Sequence, residues 1–87
     1  MDSAPSRIAV VGTGYVGLTT GACLAHLGFD VVCCDVDERK VASLRAGGIP
    51  IVEDGLAEIV RGAVEAGHLS FELGVDPAVR TADAVFL

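Results

Sequence analysis

Apolar and polar positions along this chain fall into short blocks, and the blocks change period at glycines. Arg7-Ile8-Ala9-Val10-Val11 is a β-rich apolar run with a glycine-rich turn directly after it, which predicts a buried strand. From Tyr15 to about Leu27 the period turns helical. Val16, Cys23, Leu24 and Leu27 give the expected inner face, and Gly28 stands where a glycine cap belongs. Val31-Val32-Cys33-Cys34 reads as a second buried strand that ends at Asp35. A helix is expected from near Asp37, a good N-cap, with Val41 and Leu44 inside and Gly47-Gly48 at its end. Ile49-Pro50-Ile51 reads as an extended linker. Asp54 is expected to cap a third helix with the stripe Leu56, Ile59, Val60 and Val64, ending at Gly67. A short strand at residues 69–71 follows. Asp76-Pro77 predicts a brief helix by the N-cap and proline-at-N1 rule. Ala84-Val85-Phe86-Leu87 begins one more strand.

Strands that alternate with helices in this way predict an α/β fold: a parallel sheet, right-handed crossovers and helices on both faces. The last strand, the fourth, is expected to be cut short, so residues 1–87 read as one incomplete domain with no second domain.

Composition narrows the function. A length of 87 residues suits one small domain. Hydrophobic residues make up 52% and aromatic ones 5%, so the core must rest on small aliphatic side chains, as in strands covered on both faces. The net charge of −6 argues against nucleic acid or an anionic membrane as partner. An anion would have to be held by local backbone dipoles. The start, Met1-Asp2-Ser3-Ala4-Pro5-Ser6-Arg7, lacks the pattern of a signal peptide, and no apolar run approaches the roughly 18 residues of a membrane span. A cytoplasmic location is the expectation. Three cysteines, Cys23, Cys33 and Cys34, fit no zinc or disulfide framework. Neighbours on a strand point to opposite faces, so Cys33 and Cys34 are poorly placed to pair. All three are expected to be small buried hydrophobes.

Gly12-Thr13-Gly14-Tyr15-Val16-Gly17 fits G-x-G-x-x-G between a strand and a helix. Gly12 suits the tight turn, Gly14 lets a pyrophosphate approach the backbone, and Gly17 lets the helix pack close to the sheet. The N–H groups of Tyr15 and Val16 lie at the predicted helix start, where they can donate to phosphate oxygens. Asp35 follows Gly17 by 18 residues, near the spacing of an acid that accepts from an adenosine ribose. A carboxylate there would repel a 2′-phosphate, so NAD is expected over NADP. Lys40, in the first turn of the next helix, is either a further contact to the ribose or adenine edge or a plain surface lysine. This is the pattern of a Rossmann-type NAD-binding domain. His26 and His68 stand alone in sequence, and no catalytic or metal-ligating residue is expected in the chain.

Three stretches resemble the UDP-glucose/GDP-mannose dehydrogenase family. Residues 8–18 are similar to its opening strand and glycine loop, with Tyr-Val between the glycines. Cys34-Asp35-Val36-Asp37-Glu38-Arg39-Lys40-Val41 resembles the end of its second strand. Ile49-Pro50-Ile51-Val52-Glu53-Asp54-Gly55-Leu56 resembles a Pro-Ile-x-Glu-Pro-Gly-Leu segment, with Asp54 where the family usually has proline. The resemblance implies oxidation of the C6 alcohol of a nucleotide sugar to a carboxylate with reduction of two NAD. UDP-glucose is favoured as substrate, and a homodimer is the expected parent. It implies that Val16, Asp35, Lys40 and the glycine loop contact NAD. It also implies that the nucleophilic cysteine lies in a later part of a full-length chain; Cys23, Cys33 and Cys34 do not match it. Two other readings stay open: another NAD-dependent dehydrogenase of this fold, and an inactive nucleotide-binding fragment.

Overall fold

The computed structural model describes residues 7–49 and 54–87. The elements run β1 (Arg7–Val11), α1 (Tyr15–His26), β2 (Asp30–Asp35), α2 (Glu38–Arg45), α3 (Asp54–Glu65), β3 (Leu69–Leu73), α4 (Asp76–Thr81) and β4 (Ala84–Phe86). The four strands form one sheet in the order β3-β2-β1-β4, and every pairing is parallel. The expected Rossmann-type α/β architecture is present.

Period-two alternation distributes the strand residues between two layers. Ile8, Val10, Val31, Cys33, Leu69 and Phe71 face one core, which they share with α1, α2 and α3. Ala9 and Cys34 face the other way, against Ala78 of α4. Helices therefore cover both faces. Cys33 and Cys34 lie in different layers and are free thiols. Burial pushes the Cys33 thiol up to about 12, so it stays protonated and behaves as a small hydrophobe.

Several expectations need correction. The inner face of α1 is Leu18, Gly21, Ala22 and Ala25. Val16 is 75% exposed and Leu27 72%, Leu24 is only partly buried, and Cys23 is exposed, so of the three cysteines expected to be buried only Cys33 and Cys34 are. No charged residue falls within α1 before His26, so no polar stripe announces its rotation. Close packing on the sheet then selects the smallest side chains rather than the bulkiest. The α3 stripe holds in part: Val60 is buried and Leu56 packs against the core, but Ala57 and Ala63 are buried in place of Ile59 and Val64, which are exposed. At α4 the N-cap is Val75, and Asp76 is already inside the first turn with Pro77.

Other expectations held. Asp37 caps α2, its Oδ1 accepting from Arg39 N at 3.0 Å and Lys40 N at 3.3 Å. Val41 and Leu44 are the buried residues of that helix. Charged neighbours on α2 fix its rotation in a way that α1 lacks. β3 runs two residues beyond its expected end, because Leu73 still pairs with Asp35. Pro50, Ile51 and the side chain of Asp54 lie outside the described residues, so the linker and the Asp54 cap do too.

Leu18 has no exposed surface. Leu18→Ala is expected to cost about 2–5 kcal/mol in a urea melt, the range for opening a cavity. Val16→Ala, one helical face away, should stay within about 0.5 kcal/mol. The reverse ranking would return α1 to the rotation that its bulky residues suggest.

Candidate functional site

The site begins where β1 ends. Gly12 adopts φ +107°, a conformation that costs a side-chain-bearing residue and suits glycine. Its N–H donates to the Cys34 carbonyl at 2.7 Å, which carries the β1–β2 ladder one residue past the strand. Gly14 then serves as the N-cap of α1 and offers no side-chain cap. A Cβ on Gly14 would meet nothing within 4 Å, whereas one on Gly17 would collide with the Gly12 carbonyl. Gly14 thus faces open space, and Gly17 is where helix and strand touch.

A cleft of about 440 Å³ opens above this turn, lined by Gly12, Gly14, Tyr15, Val16, Gly17 and Phe86 among others. It lies between the carboxyl ends of β1 and β4. The strand order makes this the switch point: the chain builds outward from β1 to β3, then returns to place β4 on the other side of β1. Ligands of open parallel sheets bind at such crevices. The first-turn N–H groups of α1 and the positive end of its dipole border the same cleft. An anion can therefore be held here despite the acidic chain.

Asp35 ends β2 on the other side of the loop. Its Oδ2 accepts from Thr13 N at 3.0 Å and Thr13 Oγ1 at 2.8 Å, and its Oδ1 accepts from Asp37 N at 2.9 Å. The Asp37 N–H, the Thr13 hydroxyl and N–H, and the Lys40 charge outweigh partial burial and hold the carboxyl at about 2. It is an anion throughout the physiological range. Lys40 is exposed on α2 and, with Thr13, Arg39 and Ser43, borders a second recess of about 240 Å³.

The structure thus gathers all seven residues expected at the site around one loop. Gly12, Gly14, Tyr15, Val16 and Gly17 line the cleft, while Asp35 and Lys40 lie beyond Thr13. Thr13 itself was legible only as a spacer between two glycines. Its signal is the β1–β2 register, which pairs Val11 with Cys34 and so brings the residues just past both strands together. His26 and His68 are elsewhere, beside a groove between α1 and α3. His68 does have a partner that sequence spacing hides: its Nδ1 lies 3.2 Å from Asp30 Oδ1.

Fold and loop define a dinucleotide-binding domain. The profile of the UDP-glucose/GDP-mannose dehydrogenase family, NAD binding domain, matches residues 6–87; the chain belongs to this family, and its cofactor is NAD. It is similar to a UDP-glucose 6-dehydrogenase of Bacillus subtilis, 48% identical over 81 residues, which cover 93% of this chain and 18% of that protein. Among solved structures, a UDP-glucose dehydrogenase from the hyperthermophilic archaeon Pyrobaculum islandicum superposes with a TM-score of 0.86 at 40% identity, over 95% of this chain and 19% of that one. A GDP-mannose dehydrogenase from Pseudomonas aeruginosa gives 0.82 at 32% identity, over 93% and 19%. The chain spans under a fifth of the length of these relatives. No helix among the described residues is long and apolar enough to cross a membrane.

Two outcomes follow for this site. Gly17→Ala should destabilise the chain by about 1–3 kcal/mol, the usual cost of overpacking, while Gly14→Ala should melt close to the parent; thermal unfolding separates them. The Asp35 carboxyl is depressed from 3.8 to about 2 on folding. Its contribution is therefore complete above about pH 4 and is lost as pH falls toward 2. Asp35→Asn should flatten that part of a stability-versus-pH curve.

Proposed function

We propose that the loop from Gly12 to Gly17 holds the pyrophosphate of NAD, with the N–H groups of Tyr15 and Val16 among the donors. In this reading Asp35 accepts from the adenosine ribose and Lys40 contacts the ribose or adenine edge. The observation that carries it is the placement of a side-chain-free turn and a helix N-terminus in the switch-point cleft, with an anionic carboxylate one strand away. The residues fit the cofactor on three counts: open space over Gly14, room in the cleft, and an acceptor on the β2 side. The Asp35 charge favours a free 2′-hydroxyl over a 2′-phosphate, which is the basis for choosing NAD over NADP. Bound here, NAD would supply a hydride acceptor for the oxidation of substrate. The residues of this chain bind and orient the cofactor at its adenosine and pyrophosphate end.

The 87 residues are part of an NAD-binding domain in this reading. They bind cofactor without turning over substrate. The longer protein oxidises the C6 alcohol of UDP-glucose to the carboxylate with two NAD, in the cytoplasm and as a homodimer. UDP-glucose is favoured because the relatives at 48% and 40% identity carry that substrate in their names. A GDP-mannose enzyme of the same fold at 32% supplies the second reading.

Calorimetry on the 87-residue chain tests the cofactor reading, with NAD binding expected and NADP binding weaker. Asp35→Asn should weaken NAD binding by roughly 1–3 kcal/mol, the range for lost hydrogen bonds to a charged group. Equal affinity for the two cofactors, or an Asp35→Asn variant that binds NAD as the parent does, would remove Asp35 from the site. For the longer protein, NAD reduction with UDP-glucose against GDP-mannose decides the substrate.

A further inference from the structure

Thr13 is 3% exposed and is the buried polar residue among the described ones. Nothing about a G-x-G turn requires a hydroxyl at that position. A small apolar side chain would fill the same space without bringing a polar group out of water. Yet the Thr13 hydroxyl and its own backbone N–H converge on a single atom, Asp35 Oδ2, at 2.8 and 3.0 Å. The N–H of Asp37 takes the other oxygen, Oδ1, at 2.9 Å. A carboxylate offers about four lone-pair sites. Two are used on Oδ2 and one on Oδ1, so the remaining capacity is on Oδ1. The carboxyl group is gripped from β1 on one side and from the start of α2 on the other, and it cannot turn freely. The β-branched Thr13 side chain is itself stiff about χ1, which keeps the grip in one geometry.

We propose that Thr13 is a positioning residue for cofactor selection: it fixes the Asp35 carboxylate so that Oδ1 faces the ribose hydroxyls and the anion stands where a 2′-phosphate would have to lie. This rests on the reading of Asp35 as the ribose acceptor. A carboxylate free to rotate could turn aside from a phosphate, or bring Lys40 and the neighbouring Arg39 to bear on it; a clamped one cannot. Thr13 thus acts through Asp35 and need not touch the cofactor with its hydroxyl.

The test uses Thr13→Val and Thr13→Ala, which lose the hydroxyl, and Thr13→Ser, which keeps it, in the 87-residue chain. Circular dichroism checks the fold of each. Two readouts are taken: the NMR titration of the Asp35 carboxyl, which needs no cofactor, and calorimetric binding of NAD and NADP. In the hydroxyl-free variants the Asp35 midpoint is expected to rise from about 2. Their NAD dissociation constant should rise about tenfold, the size of one hydrogen bond to a charged group. NADP binding should change less, so the preference narrows, and Thr13→Ser should recover both readouts. An unchanged NAD-to-NADP ratio in a folded hydroxyl-free variant overturns the proposal while leaving the NAD site intact. Absence of NAD binding by the parent chain overturns the NAD site itself. A shifted Asp35 titration beside that absence would show the Thr13 link to be structural alone. If Thr13→Val unfolds, the smaller Thr13→Ala variant carries the comparison.

Discussion

The approach of α1 to the end of β1 governs the rest of this structure. Gly17 lies so close to the Gly12 carbonyl that no side chain fits between them. That contact fixes where the helix begins, and therefore where its first-turn N–H groups and the positive end of its dipole point. Gly12, with its positive φ, is the other half of the same device. It turns the chain within one residue while still donating to Cys34. The loop is tied to β2 before it reaches the helix. The cleft at the β1–β4 junction is a consequence of these two positions together with a strand order that reverses there.

Charge is then handled locally. With a net charge of −6, the chain has no broad field to attract a dinucleotide. It sets oriented backbone dipoles on one side of the loop and a single well-held carboxylate on the other. The carboxylate owes its low proton affinity chiefly to hydrogen bonds from Asp37 and Thr13. Those donors belong to the segments that flank the site, so the geometry of the turn and the ionisation of Asp35 are one arrangement. A loosened turn would alter both.

Packing behind the site favours small side chains. Ala22, Ala25, Ala57 and Ala63 line the inner faces of α1 and α3, and they allow these helices to lie close to the sheet and to each other. Bulkier residues such as Val16 are left outside, and Val16 borders the cleft.

The order of elements, the parallel sheet, the glycine loop, Asp35 and the Asp37 cap were all legible in the sequence. Each depends on local rules: strand and helix periods, glycine at a forced turn, and an acid at a set distance along the chain. The rotation of α1 was not legible, and that of α3 only in part. α1 carries no charged residue before His26 to mark its outer face; α3 does carry charges, and there packing still selected Ala57 and Ala63, which permit close approach, over Ile59 and Val64. Nor could sequence reveal the tie between Thr13 and Asp35 or between His68 and Asp30. Those pairs stand 22 and 38 residues apart and meet through parallel strand register. Sequence alone determined what kind of loop this is and which acid follows it. The tertiary structure decided which faces are buried and which residue holds that acid in place, because both depend on contacts between segments that local periodicity does not encode.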